Sequence, residues 1–241
     1  MITDFRGFVR DKAIIRNEIE MEISDEFWEA AEDLRYLLNR DYPKDASLHL
    51  VGNRYNLDRN YRHLLRRGVF PHARAEERRK KQVSLEELRG TGLAIDGHNC
   101  LITLESALKN KPLLLADDNF IRDISGVSGG YRETQETHEA LALIMDLLAK
   151  AGPREVLFLL DAPISGSGKL AARIRNLMRE KGIQGNASAH KVPERIMAGY
   201  QGIIAGSDTA VIDQAGQVFD LAGYLIRKKV GAPYIDLRKK R

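Results

Sequence analysis

The second half of the chain contains short apolar runs separated by stretches with helical spacing. The runs that predict strands are residues 93–95, 156–160, 202–205 and 232–235. Their apolar character is nearly continuous, which is typical of strands buried on both faces of a parallel sheet. Residues 141–148, 170–178 and 219–226 have the apolar spacing of helices. This alternation predicts an α/β domain in which helices cover both faces of a parallel sheet, giving three layers.

The preceding part of the chain predicts helices only. Apolar residues between positions 27 and 38 recur at helical spacing behind Ser24, which is a suitable N-cap. A second helix is expected over residues 46–55, with Leu50 among the side chains that face inward. A third is expected to start at the cap Asn56 and to end at Gly68.

A polar segment marks the boundary between the two parts. Residues 73–81 contain no apolar residue except two alanines, which predicts a solvated helix or a linker. We therefore predict two domains. Residues 1–88 form a small all-α domain, with nucleic-acid binding as a candidate role, and residues 89–241 form the α/β domain.

Composition restricts the location of the protein. No apolar run approaches the length that crosses a bilayer, and the first residues lack the pattern of a secretory signal. The single cysteine, Cys100, excludes a disulfide within the chain and a zinc site built from cysteines. These features predict a cytoplasmic protein with no membrane partner.

The basic residues are unevenly distributed, although the net charge is only +4. Between Arg54 and Lys81 there are ten Lys or Arg residues against three Asp or Glu, and residues 227–241 carry seven against one. Such runs usually form solvated faces. Two basic stretches beside an acidic site would also suit a phosphodiester, so RNA is the predicted partner.

Three predicted strands lead into aspartates, namely Asp96, Asp161 and Asp208. The carboxyl ends of parallel strands meet at one edge of a sheet, so these side chains are expected to converge. Each aspartate could instead cap the helix that follows its strand. If they do converge, a divalent cation would relieve their repulsion, and Mg²⁺ and Mn²⁺ prefer such oxygen ligands.

Two of these aspartates lie in motifs. The segment Asp96-Gly97-His98-Asn99 and the segment Gly206-Ser207-Asp208 resemble the strand-end signatures of PIN-like nucleases, particularly their NYN branch. The resemblance implies a metal-dependent ribonuclease in which strand-end aspartates bind the cation that activates water. It makes Asp96 and Asp208 ligands and places Asn99 beside the metal as a substrate-binding residue.

The remaining site residues are predicted with less local support. Asp161 matches the nuclease pattern by its place after a central strand. The family's helical glutamate has two candidates, Glu136 and Glu139. We expect Asp213, or a glutamate near Glu136, to complete the metal shell.

Two further segments suggest substrate contacts. Residues 165–169 follow a strand and open a helix, but Pro163 and Leu170 are incompatible with a P-loop. This segment is either a flexible turn or a phosphate contact through Lys169. Residues 116–137 include a glycine-rich stretch from which Arg132 could bind a phosphate and Asp123 could bind the cation. Asp117 and Asp118 are expected to be solvated surface residues.

The whole chain also resembles an uncharacterised, mainly archaeal two-domain family of unknown function. That resemblance runs through residues 33–40, 50–55 and 123–132. Taken together, the sequence predicts a phosphodiesterase that cleaves RNA with an aspartate-bound Mg²⁺ or Mn²⁺. The alternative is a non-catalytic RNA-binding or adaptor protein with a degenerate nuclease fold.

Overall fold

In the computed structural model, residues 23–124 and 131–239 are described. The amino-terminal part is all-helical, as predicted. Its helices are α1 (Asp25–Leu38), α2 (Lys44–Arg54), α3 (Arg59–Gly68) and α4 (His72–Lys80). They pack around a core that includes Phe27, Leu34, Leu64 and Leu65.

Three details of these helices differ from the sequence-based expectation. Leu50 is 61% exposed, so it does not face the core. The side chain of Asp58 caps α3 by accepting from the amide of Tyr61, whereas Asn56 precedes it with a positive φ. Residues 73–81 lie mostly in helix α4, which is one of the two expected forms, but the helix is only partly solvated because Ala75 and Arg78 are buried.

The remaining chain begins with a short 3-10 turn at Glu86–Leu88 and then alternates strands and helices. The strands are β1 (Gly92–Asp96), β2 (Leu113–Leu115), β3 (Ile121–Asp123), β4 (Glu155–Asp161), β5 (Gly185–His190), β6 (Ile203–Ala205), β7 (Gln217–Phe219) and β8 (Ile235–Asp236). The helices are α5 (Gly97–Leu108), α6 (Gln135–Ala151), α7 (Ser167–Glu180), α8 (Pro193–Ala198), α9 (Thr209–Gln214) and α10 (Leu221–Leu225). A π-helical turn, Ile226–Val230, follows α10.

The main sheet has five strands in the order β5-β4-β1-β6-β7, all parallel. β1 is central, and Ile95 pairs with Phe158 on one side and Ala205 on the other. After β1, the strands β4 and β5 are added on one side of it, and the later strands β6 and β7 are added on the other side. This reversal of direction places a topological switch point at the carboxyl end of β1, where ligands bind in open α/β sheets.

Helices cover both faces of this sheet, which confirms the predicted α/β class and its layers. Leu93 and Ile95 of β1 belong to the core formed with α5, α6, α7 and α10. Ala94 faces the opposite side, where Met197 of α8 and Ile212 of α9 complete a second core. The alternation along β1 is that of a strand buried on both faces.

A second sheet, in the order β3-β2-β8, connects the helical part to the α/β part. Leu114 of β2 and Leu237, which follows β8, belong to the same core as Phe27 and Leu64. Of the strand predicted at residues 232–235, only Ile235 lies in a strand, and that strand, β8, belongs to the small sheet and not to the main one. No helix within the described ranges is long and apolar enough to cross a membrane.

Candidate functional site

The three predicted aspartates lie on adjacent strands at the carboxyl edge of the main sheet. Asp96 ends the central strand β1, and Asp161 ends its neighbour β4. Asp208 comes three residues after β6, the neighbour on the other side, and directly precedes α9. The strand order thus brings residues from distant parts of the chain to the switch point.

Asp96 is buried where the backbone is closely packed. Its Oδ1 accepts a long hydrogen bond of 3.4 Å from the amide of Asn99, which caps α5. A Cβ at Gly97 would lie 2.6 Å from Leu160 Cδ2 and 2.8 Å from the carbonyl oxygen of Leu159, so only glycine fits where the start of α5 meets β4. A Cβ at Gly206 would lie 3.1 Å from the Cβ of Asp96, so the turn after β6 also passes close to this carboxylate.

The environment of Asp96 disfavours its negative charge. Burial raises the pKa of Asp96 to about 7, and the amide of Asn99 only partly opposes the shift. The negative charges of Asp161, Asp208 and Glu194 raise the pKa further. The carboxyl edge is therefore a region in which four acidic side chains interact electrostatically.

The other buried aspartates have arginine partners. Arg35 bonds Asp117, Arg67 bonds Asp123, Arg227 bonds Asp220, and Asp118 is bonded by both Arg78 and Arg122. The buried Glu105 accepts short hydrogen bonds from the hydroxyl groups of Tyr131 and Thr137. Among the described residues, Asp96 is the one buried aspartate without an arginine or lysine partner. Its charge has to be balanced by a proton or by a cation from solution.

Asp161 is oriented by His98. Nδ1 of His98 accepts from the amide of Asp161 at 2.9 Å when it carries no proton, and it donates to Oδ2 of Asp161 at 3.0 Å when it does, so one of the two bonds forms in each protonation state of Nδ1. The ring is buried, packs edge-on against Tyr131, and its Nε2 has no hydrogen-bond partner among the residues described. The side chain of Asp161 is 29% exposed, so solvent still reaches this carboxylate although the His98 ring that contacts it is buried.

Asn99 and Asp208 shape the turn after β6. Oδ1 of Asn99 accepts from the amide of Ser207 at 2.8 Å and from its hydroxyl at 3.0 Å. Asp208 is exposed and caps α9 by accepting from the amides of Ala210 and Val211. Asn99 therefore fixes the residue before Asp208 and so sets the position of that carboxylate.

The capping alternative is observed for two of the three aspartates. Asp96 caps α5 and Asp208 caps α9, whereas Gly166, in a left-handed conformation, occupies the N-cap of α7 in place of Asp161. Within the parts of the chain that the structure describes, no three His, Cys, Asp or Glu side chains are grouped as a metal site. The carboxylates at this edge interact through their charges without forming one coordination sphere.

Two predicted members of the metal shell lie elsewhere. Both oxygens of Asp213 bond Arg78 of α4, at 2.6 and 2.9 Å, so it serves the contact between the two parts of the protein. Glu136 lies in the first turn of α6. Its carboxylate accepts from the hydroxyl of Thr134 and lies 3.4 Å from Nζ of Lys109, which follows α5. The acidic side chain that sequence reasoning missed is Glu194 at the start of α8. Recognition of β5 would have indicated a helix start at this edge of the sheet.

The prediction that Asp117 and Asp118 are solvated surface residues is wrong. Both are buried, and Asp118 is fully inaccessible. Arg78 and Arg122 both donate to the carboxylate of Asp118, with nitrogen–oxygen distances of 2.7 to 3.1 Å. Asp123 is likewise buried and bonded by Arg67, so its charge is balanced within the protein.

The predicted substrate contacts Lys169 and Arg132 are both exposed. Lys169 lies in the first turn of α7, and Arg132 lies shortly before α6. The turn that leads to Lys169 is held by Ser167, whose hydroxyl donates to the carbonyl of Asp161 at 2.6 Å. Much of the glycine-rich stretch that precedes Arg132, residues 125–130, lies outside the described residues.

Two protein families of unknown function match the chain. Residues 85–224 match a domain of unknown function, DUF5616, and residues 26–81 match a protein family of unknown function, DUF434. An uncharacterized protein of Methanocaldococcus jannaschii is 33% identical over 183 residues, which cover 76% of this chain and 87% of that protein. No solved structure matches the chain. These matches confirm the resemblance to an uncharacterised two-domain family with an archaeal relative.

Proposed function

We propose that this chain, which belongs to the DUF5616 family, is a divalent-cation-dependent phosphodiesterase whose PIN-like α/β domain cleaves RNA. The observation that carries the proposal is Asp96, a buried carboxylate at the switch point of a parallel sheet, for which the described residues provide no basic partner. Three more acidic side chains act on it there. Strongly perturbed acidic groups in such a position are candidates for functional chemistry.

The donor set fits a hard divalent cation. Asp96, Asp161, Asp208 and Glu194 offer only carboxylate oxygens, which Mg²⁺ and Mn²⁺ prefer over nitrogen or sulfur. Asp208 is exposed and Asp161 is partly exposed, so a turn toward Asp96 would cost Asp208 its bonds to the α9 amides, or Asp161 its contact with His98, but no core packing. Asp96, Asp161 and Asp208 would hold the cation, with Glu194 in place of Asp213 as the fourth acidic group.

A cation bound there would supply Lewis-acid chemistry to a phosphodiester and lower the pKa of water. The chain's own residues hold the groups around it. His98 positions Asp161, and Asn99 positions the turn that carries Asp208. Lys169 and Arg132 would contact the substrate phosphates, because exposed cations near this edge offset the charge of RNA.

A second candidate function follows from the caps. Asp96 and Asp208 both accept helix amides, which is a sufficient structural role for each. If Asp96 is balanced by a proton at neutral pH, the edge has no need of a cation. The protein would then be the non-catalytic RNA-binding or adaptor protein that the sequence also allowed.

Cleavage assays on labelled RNA distinguish the two functions. The wild type should cleave with Mn²⁺ and not with EDTA, whereas Asp208→Asn should still bind RNA without cleaving it. The matched control is Asp146→Asn, an exposed aspartate on α6 that should leave cleavage unchanged. Binding without cleavage by the wild type, across several RNA and DNA substrates, would favour the adaptor. Cleavage that persists with EDTA and in Asp208→Asn would reveal a contaminating nuclease.

A further inference from the structure

A cleft of about 470 Å³ lies between α2 and α3, in the helical part of the protein. Its lining includes Arg59, Arg62 and Arg66 of α3, and Leu48 and Asp45 of α2. Its volume is within the usual range of sites for small organic ligands. None of its lining residues belongs to the carboxyl edge of the main sheet.

The three arginines share one face of α3. Positions 59, 62 and 66 are three and four residues apart, so their side chains are neighbours on the helix surface. Like charges at this spacing repel one another. An anion in the cleft would remove that repulsion.

Arg62 is held in place by groups that leave its charge unbalanced. Its Nε donates to the carbonyl of Leu57 at 2.7 Å, and Nη2 donates to Oδ1 of Asn53 at 3.0 Å. The guanidinium lies against Gly52, where a side chain would collide with it. Neither hydrogen-bond acceptor is a carboxylate, so the positive charge is fixed in position and remains available to a ligand.

The other two arginines are also available. Arg59 has no ion pair with any described residue. Arg66 bonds Asp45 at 2.6 Å, but both side chains are more than half exposed, so this ion pair is weak. Asp45 therefore competes with any anion that enters the cleft.

His63 also lines the cleft, and its pKa reflects the electrostatic potential there. Within the described chain, its Nε2 is a buried atom without a hydrogen-bond partner. Burial lowers the pKa of His63, and the charge of Arg67 lowers it further against the opposing charge of Asp123. Arg66 and Arg59 also lower it, which indicates a positive potential on this side of the cleft.

We propose that this cleft binds the phosphomonoester group of an organic ligand. Guanidinium groups match the geometry of phosphate oxygens, and two or three of them can share a dianion. The cleft is larger than a bare phosphate, and the buried Leu48 provides an apolar wall for the attached organic group. A free mononucleotide and the terminal phosphate of an oligonucleotide are the two sources of such a group that the experiment below separates. This site is independent of the proposed phosphodiesterase.

Calorimetric titration of the full chain in EDTA tests the proposal, since EDTA suppresses cation-dependent binding at the sheet edge. Adenosine monophosphate should bind and adenosine should not, with a shift of the His63 ring resonances in NMR spectra. If an oligonucleotide binds only with its 5′ phosphate while adenosine monophosphate does not, the ligand is a polynucleotide end. The proposal is overturned if adenosine monophosphate binds no better than adenosine and the oligonucleotide binds no better with its 5′ phosphate than without it.

Variants with opposite expected effects separate binding from loss of structure. Arg59→Gln should weaken binding about tenfold, because it removes one charge-assisted hydrogen bond. Asp45→Asn should strengthen binding several-fold, because it releases Arg66. Arg74→Gln, an exposed arginine of α4 outside the cleft, is the matched control and should not change the affinity. Unchanged binding in Arg59→Gln, or weaker binding in Asp45→Asn, would contradict the assignment.

Discussion

Nε of Arg122 donates a hydrogen bond of 2.8 Å to the carbonyl oxygen of Ser207. Arg122 is a buried residue of β3, and Ser207 directly precedes Asp208 at the carboxyl edge of the main sheet. The other nitrogens of Arg122 bond Asp118, which Arg78 of α4 also bonds. A continuous series of buried hydrogen bonds therefore connects the helical part of the protein to the turn that carries Asp208.

Replacing Arg78 with glutamine should destabilise the protein. The change removes the cation that pairs with the buried Asp118. It also removes the two hydrogen bonds that Arg78 donates to the carboxylate of Asp213. Loss of one partner of such a pair costs about 3 kcal/mol, measured as the free energy of unfolding in urea. Arg74→Gln removes an exposed arginine of the same helix and should cost less than about 0.5 kcal/mol. Equal losses in both variants would contradict the role assigned to Arg78.

The pH dependence of stability should reveal the buried Asp96. Its pKa is about 7 in the folded protein, against 3.8 for an ordinary aspartate. The folded state keeps this proton to higher pH than the unfolded chain does. The contribution of Asp96 to the free energy of unfolding should therefore fall between about pH 4 and 7, by about 4 kcal/mol at most.

Asp96→Asn removes this titration. In EDTA, the stability of the variant relative to the wild type should be lower at pH 5 than at pH 8, because the wild type loses stability as the pH rises through this range. Urea unfolding of both proteins at the two pH values measures the difference. A difference that is the same at pH 5 and pH 8 would mean that Asp96 titrates normally.

Added cation should stabilise the wild type. A ligand that binds only the folded state at about 100 times its Kd adds about 2.7 kcal/mol, which corresponds to a rise in Tm of about 5 °C or more. We expect this rise with Mn²⁺ or Mg²⁺ in the wild type and in Asp146→Asn, and its loss in Asp96→Asn. If millimolar Mn²⁺ and Mg²⁺ leave the Tm of the wild type unchanged, the cation site is excluded.

Gly97→Ala should destabilise the protein because the new methyl group has no space. It would lie 2.6 Å from Leu160 Cδ2 and 2.8 Å from the carbonyl oxygen of Leu159. Overpacking of this kind costs about 1–3 kcal/mol. Gly168→Ala is the control, since nothing lies within 4 Å of its added methyl group in α7, and it should be neutral or slightly stabilising. Comparable Tm values for the two variants would refute the close packing of the start of α5 against β4.

The sequence predicted the central strands of the main sheet but missed its edges. β1, β4 and β6 are buried on both faces, so their residues form the apolar runs that sequence reasoning detects. β5 is an edge strand made of Gly185, Asn186, alanines, Ser188 and His190, and it lacks such a run. β7 has only three residues, and Phe219 at its end was assigned to the following helix.

The same contrast applies to the site. Asp96, Asp161 and Asp208 could be placed at one edge because each follows a recognised strand. Glu194 could not, because it follows the unrecognised β5. No local sequence feature shows that Asp213, unlike Asp96, Asp161 and Asp208, lies away from the site. Its partner Arg78 lies 135 residues away in the chain.

The sequence by itself determined the α/β class, the helical amino-terminal part and the edge of the sheet where the aspartates meet. These properties follow from local patterns of apolar residues and from the rule that parallel strands end together. Only the tertiary structure decided which buried carboxylates have an arginine that balances their negative charge. Asp118 forms ion pairs with Arg78 and Arg122, whereas Asp96 is acted on by the charges of other carboxylates. The charge of a buried carboxylate depends on its neighbours in space, and those neighbours come from distant positions that no local pattern reveals.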